Sequence, residues 1–175
     1  MMFYPTFMNG LLVIEPQLRE DERGYFARIF CAREFVDAGV TFKCAQANRS
    51  MTKHRGTIRG MHFQHAPHRE DKIITCIKGR IYDVAVDMRK GSATYGRWHA
   101  QELTEENKKM FFIPKGFAHG FQTLVDDCVV EYLVSEFYAP QHESGLRWDD
   151  PSLAIAWPIK NPIIISEKDA QWRFL

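Results

Sequence analysis

The stretch KIITCIKGRIYDVAVDM, residues 72–88, decides the fold class. Two apolar runs, 72–77 and 81–88, flank the turn-like tripeptide 78–80, and both are short and rich in β-branched residues, as strands are. The glycine at the centre of the tripeptide predicts a tight turn. The stretch is therefore predicted to form a β-hairpin.

Short apolar runs separated by turn residues recur along the rest of the chain. Those that predict strands are 10–15, 25–30, 110–113, 121–125 and 128–135. The last two are expected to pair as a second hairpin, and residues 32–38 are predicted to form a short helix that ends at Gly39. Many strands with few helices favour an all-β fold, a jelly-roll or cupin double-stranded β-barrel with a few short helices. We expect residues 1–175 to form a single domain of this type.

The composition argues against several classes of protein. Hydrophobic residues make up 45% of the 175 residues and charged residues 26%, which is ordinary for a globular protein. A formal net charge of +1 provides no bulk attraction to nucleic acid or to an anionic membrane. No run approaches the roughly 18 apolar residues of a membrane span, and the first residues lack the pattern of a signal peptide. We therefore expect a cytoplasmic protein that binds neither nucleic acid nor membrane.

Residue types that ligate metals are present, but their spacing does not favour a metal site. The cysteines are widely spaced and lack a C-x-x-C pair, which predicts free thiols at Cys31, Cys44, Cys76 and Cys128. His62, His65 and His68 recur at a spacing of three, and 114–119 resembles the second motif of metal-binding cupins. The His-x-His pair of the first cupin motif is absent, however, and strand residues three apart face opposite sides of a sheet. We expect no metal.

The stretch GTIRGMHFQ, residues 56–64, contains a candidate general base, His62. A neutral histidine can remove a proton near pH 7 if a carboxylate orients its ring. The sequence leaves three candidates for that carboxylate: Asp83, Asp87 and Asp169. The alternative is a structural histidine held in a sheet by hydrogen bonds.

Cationic side chains offer a second part of the chemistry. The Lys72 ammonium could stabilise an enolate, or it could belong to a solvated charge run at 69–72. Arg23 and Arg59 could each clamp a phosphate bidentately, or form surface ion pairs. Together with a base, these groups indicate proton transfer next to a carbonyl on an anionic substrate.

Tyr132 is a candidate general acid. Side chains alternate along a strand, so Tyr132 shares a face with Val130 and Val134 and points into a core or a cavity. The alternative is a core tyrosine whose hydroxyl is hydrogen-bonded.

The order of motifs along almost the whole chain resembles the dTDP-4-dehydrorhamnose 3,5-epimerase family, the cupin-fold enzymes of dTDP-L-rhamnose synthesis. The motifs are GLLVIEP (10–16), DERGYF (21–26), QAN (46–48), IRGMHFQ (58–64), GRIYDVAVD (79–87), IPKGFAHGF (113–121), FYAP (137–140), WDDP (148–151), WP (157–158) and SEKD (166–169). The resemblance implies a homodimeric jelly roll that needs neither metal nor cofactor. It also implies an epimerase that inverts C3 and C5 of dTDP-4-dehydro-6-deoxy-D-glucose to give dTDP-4-dehydro-L-rhamnose.

The resemblance also implies roles for individual residues. His62 matches the base, Asp169 the aspartate paired with it, Tyr132 the acid, and Lys72 a lysine that faces the sugar. The matching substrate contacts are Arg23, Phe26, Arg28, Gln46, Asn48, Arg59, His119, Tyr138, Glu143 and Lys168. In the family the tyrosine that matches Tyr138 stacks on the thymine, and the segment around Phe26 is contributed across the dimer.

Two departures from the family pattern bear on the substrate. Arg28 stands where family members of the best-known type carry a glutamate that touches the nucleotide end, and the segment 48–56 is one residue longer than usual. An epimerase of another nucleotide-linked 4-keto sugar, or one that inverts C3 or C5 alone, therefore stays open. A non-catalytic cupin that binds a sugar nucleotide or another small ligand, and a metal-dependent cupin oxygenase or isomerase, are the other classes. An opposed acid and base argue against the binding protein, because binding alone requires neither.

Overall fold

The computed structural model of the chain describes residues 1–161 and 163–175. Most of its regular structure lies in two antiparallel sheets. Across the described residues the larger sheet has six strands, ordered β1 (Met2–Pro5), β2 (Leu12–Glu15), β10 (Met110–Ile113), β7 (Lys72–Lys78), β12 (Cys128–Val134) and β5 (Gln46–Thr52). The smaller sheet has five, ordered β13 (Glu143–Gly145), β6 (Ile58–Gln64), β11 (Phe117–Thr123), β8 (Arg80–Asp87) and β9 (Trp98–Thr104). The predicted all-β fold is confirmed.

The remaining elements are short. β3 (Leu18–Asp21) and β4 (Gly24–Ala27) pair as a separate two-stranded ribbon. The helical segments are α1 (Ala32–Asp37), a 3-10 turn at Pro140–His142 and α2 (Glu167–Ala170). In the part of the chain that the structure describes, no helix has the length and apolar character needed to cross a membrane.

Among the residues that the structure describes, three apolar clusters hold the sheets together. The central cluster lies between the sheets and joins residues such as Ile74 and Phe111 of the larger sheet to Ile81 and Phe121 of the smaller one. A second cluster covers the outer face of the smaller sheet, where the tail packs Leu153, Ile155 and Trp157. A third covers the outer face of the larger sheet with Phe35, Val40 and Phe42 from α1 and the segment after it. Each sheet is thus buried on both faces over much of its area, which stabilises the fold through the loss of apolar surface to water.

Both predicted hairpins are wrong, although the strands themselves form. β7 and β8 are joined through Gly79, but β7 pairs with β10 and β12 in the larger sheet while β8 pairs with β9 and β11 in the smaller one. In the same way, β11 and β12 belong to different sheets. Each connection therefore crosses from one layer of the barrel to the other, because a jelly roll alternates its strands between two sheets.

Three predicted strands have boundaries that differ from the structure by two residues or more. The strand predicted at 121–125 lies at Phe117–Thr123. The strand predicted at 25–30 ends at Ala27, and Arg28 lies beyond it with its guanidinium 3.7 Å from Glu34 on α1. The strand predicted at 10–15 begins at Leu12, after the positive φ of Gly10. The predicted helix at 32–38 is confirmed as α1, and Gly39 follows it with a φ of 79°.

Candidate active site

A cavity of about 760 Å³ opens between the two sheets. One wall belongs to the larger sheet, whose inward-facing side chains include Gln46, Asn48, Ser50, Lys72, Val130, Tyr132 and Val134. The facing wall belongs to the smaller sheet and includes Arg59, His62, His119 and Phe121. The shared face predicted for Val130, Tyr132 and Val134 is confirmed, since all three line the cavity.

The carboxylate that orients His62 is Asp169, on α2. His62 Nε2 lies 2.5 Å from Asp169 Oδ1, and the Gly60 N–H donates to Oδ2 at 3.2 Å. Ser166 caps the helix, because its Oγ accepts the Asp169 N–H at 3.1 Å. This geometry places the ring proton on Nε2 and leaves Nδ1 as the proton-accepting nitrogen.

Asp169 stays ionised in this arrangement. The residue is buried, with a relative exposure of 5%. Burial works against ionisation, but hydrogen bonds from His62 and the Gly60 N–H hold the pKa of Asp169 below its usual range. A stable negative charge next to the imidazole stabilises the imidazolium that forms when His62 accepts a proton.

The other two aspartates have different partners. Asp87 binds Arg89 through an ion pair of 2.8 Å at the end of β8, outside the cavity lining. Asp83 is fully buried and hydrogen-bonded to Nε2 of His119, which stands opposite His62 in the β6–β11 register. Burial raises the pKa of Asp83, and the nearby His119 offsets only part of that rise. Asp83 Oδ2 has no hydrogen-bond partner among the described residues.

Tyr132 faces the cavity from the wall opposite His62. It lies on β12, where Asn48 of β5 and Ile74 of β7 are its neighbours in register. Burial raises the pKa of Tyr132, and the Glu70 carboxylate adds to that rise. The side chain is therefore a neutral phenol at physiological pH and holds a proton that it can donate.

Lys72 is a buried cation rather than part of a solvated charge run. It is the first residue of β7, with a relative exposure of 8%, and its ammonium lies 3.1 Å from Glu70 Oε1. Both side chains line the cavity. A cation in a largely buried site stabilises a developing negative charge more effectively than one in water.

The mouth of the cavity has a hydrogen-bonded group of polar residues. The Tyr138 hydroxyl donates to Glu143 Oε2 at 2.6 Å, and Lys168 Nζ lies 2.6 Å from the same oxygen. Burial disfavours the Glu143 charge, but the bonds from Lys168 and Tyr138 hold the pKa of Glu143 below its usual range. Gln46 Oε1 accepts the Tyr138 N–H at 2.8 Å. The Tyr138 ring remains exposed, so its face is available to a planar group.

Arg59 reaches the cavity from β6. Its Nε donates to Thr52 Oγ1 at 2.9 Å and its Nη2 to the Met51 carbonyl at 3.2 Å. No carboxylate of the described residues lies within ion-pair distance of its guanidinium, so its charge is available to an anion.

Four predicted contact residues lie outside the cavity lining of the described chain: Arg23, Phe26, Arg28 and Lys168. Lys168 still reaches the cavity mouth through its bond to Glu143. Arg23 sits in the β3–β4 turn and pairs with Asp21 at 2.6 Å. Phe26 is exposed on the same ribbon, and Arg28 follows it. Their roles in substrate binding remain predictions.

Sequence reasoning missed several residues of the site. Glu70 stood in what resembled a solvated charge run, and Ser50 carried no signal beyond its alternation with Asn48. Trp172 lies in the last five residues, yet its ring packs edge-on against His62 at 6.2 Å and its Nε1–H donates to Asp169 Oδ1 at 3.3 Å. No local pattern connects Trp172 to a strand more than a hundred residues earlier.

Comparison with known proteins agrees with this geometry. Residues 5–175 match the family model of dTDP-4-dehydrorhamnose 3,5-epimerase. A protein of that name from Methanothermobacter thermautotrophicus is 46% identical over 173 residues, which cover 98% of this chain and 92% of the relative. The chain belongs to the dTDP-4-dehydrorhamnose 3,5-epimerase family.

Solved structures of epimerases in this family share the fold. The dTDP-4-dehydrorhamnose 3,5-epimerase of Bacillus anthracis, with TDP and PPi bound, has a TM-score of 0.96 at 41% identity and covers 99% of each chain. A dTDP-6-deoxy-D-glucose-3,5-epimerase of Legionella pneumophila, in complex with dTDP-4-keto-L-rhamnose, has a TM-score of 0.94 at 37% identity and covers 99% of this chain and 92% of its own. The predicted family, cupin fold and epimerase class are confirmed.

Proposed function

We propose that the chain epimerises dTDP-4-dehydro-6-deoxy-D-glucose at C3 and C5 to give dTDP-4-dehydro-L-rhamnose. The observation that carries the proposal is the opposition of His62 and Tyr132. His62, paired with Asp169, lies on the smaller sheet, and Tyr132 lies on the larger sheet across the same cavity. A base and an acid on opposite walls can act on opposite faces of a sugar ring held between them.

The reaction needs only proton transfers, because the substrate already carries a ketone at C4 that acidifies the hydrogens on C3 and C5. Nδ1 of His62 takes a proton from one of these carbons, and the C–H electron pair becomes the enolate. The Lys72 ammonium stabilises the negative charge on the C4 oxygen. Asp169 stabilises the imidazolium and holds the ring orientation.

Tyr132 completes the inversion from the other wall. Its phenol donates a proton to the opposite face of the same carbon, the carbonyl reforms, and the configuration of that carbon is inverted. Solvent then returns His62 and Tyr132 to their starting protonation states. The same sequence at the second carbon gives the doubly inverted product.

The nucleotide end of the substrate is assigned to the mouth of the cavity. The free charge of Arg59 suits the diphosphate, and Gln46 and Asn48 offer amides on the neighbouring wall. The exposed Tyr138 ring suits stacking on thymine, since Glu143, itself bound by Lys168, fixes its hydroxyl. His119 is assigned to the sugar because it lines the cavity beside His62.

A homodimer is part of the proposal. Tyr25 and Phe26 expose 56% and 59% of their surface on the β3–β4 ribbon, which belongs to neither main sheet. Exposed aromatic residues of this kind are typical of protein interfaces. In a symmetric dimer the ribbon of each protomer would supply Arg23, Phe26 and Arg28 to the partner's cavity.

An epimerase of another nucleotide-linked 4-keto sugar is the second candidate. The observation that favours it is Arg28, whose guanidinium is ion-paired with Glu34 and brings a positive charge to the ribbon assigned to the nucleotide end. A carboxylate accepts hydrogen bonds, whereas a guanidinium donates them. The two groups at that place would therefore favour different edges of a nucleotide base.

Turnover of two substrates separates the candidates. Purified chain is incubated with the dTDP-linked and the UDP-linked 4-dehydro-6-deoxy-D-glucose, and the sugar configuration of each product is determined by proton NMR. We expect the product of the dTDP-linked sugar to be inverted at C3 and C5, with a higher kcat/KM than for the UDP-linked sugar. Preference for the UDP-linked sugar, or inversion of one centre only, would favour the second candidate. The variant His62→Ala controls for a contaminating enzyme.

A further inference from the structure

Glu70 is an acidic side chain in the cavity that the mechanism above does not use. It precedes β7 by two residues, and its side chain retains a relative exposure of only 13%. Its carboxylate lines the cavity and lies 3.1 Å from the Lys72 ammonium. Burial of a carboxylate costs free energy, which indicates that Glu70 has a role beside the reacting groups.

The position of Glu70 suits control of the Lys72 side chain. Lysine carries a compact charge at the end of a flexible four-carbon chain, and it loses considerable rotamer freedom when it is fixed. Among the described residues, Glu70 is the carboxylate within 4.0 Å of the Lys72 ammonium. The Lys72 side chain has a relative exposure of 10%, so the pair is shielded from much of the screening that weakens surface ion pairs.

The same carboxylate also influences Tyr132. After burial, the Glu70 charge is the next cause that raises the pKa of Tyr132, and Arg59 acts in the opposite direction. Glu70 therefore lies near both the cation and the acid of the proposed reaction.

We infer that Glu70 is a positioning residue of the epimerisation, which holds the Lys72 ammonium where the C4 oxygen of the sugar develops its negative charge. The inference rests on the proposed function. Glu70 acts through Lys72 and needs no contact with the reacting carbons. Loss of Glu70 should thus lower the rate of enolate formation only while Lys72 is present.

A double-mutant cycle tests this dependence. The rate of solvent deuterium entry into dTDP-4-dehydro-6-deoxy-D-glucose is measured for wild type, Glu70→Gln, Lys72→Met and the double variant. Coupled neighbours have interaction energies that correspond to changes of several-fold or more, and we expect Glu70→Gln to lower kcat about tenfold, with little effect on KM. In the Lys72→Met background the same substitution should have no effect. An equal fold-loss in both backgrounds, or no loss in either, would overturn the inference.

Two further variants keep the result interpretable. Glu131→Gln removes a carboxylate on the residue next to Tyr132, but Glu131 pairs with Arg49 and does not line the cavity; its kcat should equal that of wild type. Glu70→Asp keeps the charge and withdraws it by one methylene, so it should lose less activity than Glu70→Gln. dTDP binding and the thermal midpoint, measured for each variant, identify any that misfold.

If wild type itself exchanges no hydrogen, the proposed function fails, whereas active wild type with an uncoupled cycle refutes only the role of Glu70.

Discussion

His62 and His119 stand opposite each other in the β6–β11 register, and each is hydrogen-bonded to a buried aspartate. The two aspartates differ in their own hydrogen bonds. Asp169 receives additional N–H donors, and its pKa is lowered, whereas Asp83 has an oxygen without a partner among the described residues, and burial raises its pKa. Asp169 is thus the better stabiliser of an imidazolium. This difference supports His62 as the base and His119 as a substrate contact.

At the same scale, Tyr132→Phe should separate the two proton transfers. The variant lacks the phenol proton but retains the ring and its packing, so His62 can still form the enolate. We expect net inversion to fall by about a hundredfold or more, the usual contribution of a positioned acid, and deuterium entry at the first centre to fall much less. Both rates are read from one proton NMR time course in deuterated water.

Tyr82→Phe is the matched control for this prediction. Tyr82 is also partly buried in a strand, with its pKa raised by burial, but it packs against Trp157 outside the cavity lining. Its loss should leave both rates unchanged. If Tyr132→Phe slowed exchange and inversion by the same factor, Tyr132 would not act as an acid after proton removal.

Among the elements, β6 and β11 are in close contact at two glycines, Gly60 and Gly120. A Cβ on Gly60 would lie 2.5 Å from the Gly120 Cα, and Gly60 has a φ of 119° that disfavours other residues. Its N–H also binds Asp169. Because Asp169 of α2 binds both the Gly60 N–H and His62, this part of β6 lies beside α2.

Gly60→Ala should destabilise the protein more than Gly24→Ala. Gly24 has a similar φ of 126°, but an added Cβ would meet nothing within 4 Å. Both variants suffer backbone strain, and only Gly60→Ala adds overpacking, so we expect it to lose about 2 kcal/mol more in the free energy of unfolding in urea. Equal losses of unfolding free energy in the two variants would show that the close contact between β6 and β11 adds no cost beyond backbone strain.

The end of β8 depends on the ionised form of Asp87. Asp87 is fully buried and accepts hydrogen bonds from Arg89, Ser92 and Thr94. Burial opposes its ionisation, but the bond from Arg89 and the hydroxyl donors lower the pKa of Asp87 well below 3.8. A depressed pKa adds stability that is complete above the unfolded value and is lost as the pH falls through the folded value.

Asp87→Asn should consequently destabilise the protein at pH 7 by about 2 kcal/mol, since it weakens a largely buried ion pair. The deficit relative to wild type should shrink as the pH falls below about 4, where wild type begins to lose the same contribution. Urea unfolding at pH 7 and pH 3 measures both quantities, with the exposed Asp37→Asn as control. A deficit that stays constant with pH would contradict the assignment.

The individual strands also show how much of the fold and of the site could be predicted from the sequence. β7, β8, β10 and β12 were predictable because their apolar runs are bounded by glycine, proline or charged residues. The partners of those strands were not, because a short turn is compatible with a hairpin and with a crossing between layers. Asp169 was one of three candidates for the partner of His62, since it lies 107 residues further along the chain and only packing brings the two together.

At the scale of the whole molecule, the proposed site requires two chains. If the β3–β4 ribbon serves the partner's cavity, a dimer of two 20.4 kDa chains contains two sites, each built from both protomers. Mixed dimers distinguish this arrangement from a site built within one chain. The two inactive variants to mix are His62→Ala and Arg23→Ala.

Mixing these variants should restore activity. In a mixed dimer one site carries both defects and the other carries neither, and random assortment would return about a quarter of wild-type kcat. The variants are unfolded together and refolded, and turnover is measured against each variant alone. A mixture of His62→Ala and Tyr132→Phe should restore nothing, because both residues lie in the cavity of one chain. No recovery with Arg23→Ala would place Arg23 in the site of its own chain or outside the site altogether.

Proton transfer at C3 and C5 by His62 is measured by deuterium entry into dTDP-4-dehydro-6-deoxy-D-glucose in deuterated water, followed by proton NMR. Wild type should introduce deuterium at both C3 and C5. His62→Ala should slow this entry about a thousandfold, as expected for loss of a general base. His65→Ala should leave it unchanged, because His65 does not itself line the cavity, although its ring packs against Phe63, which does. Wild-type exchange rates in His62→Ala, or no exchange by wild type at either carbon, would refute His62 as the base of this epimerase.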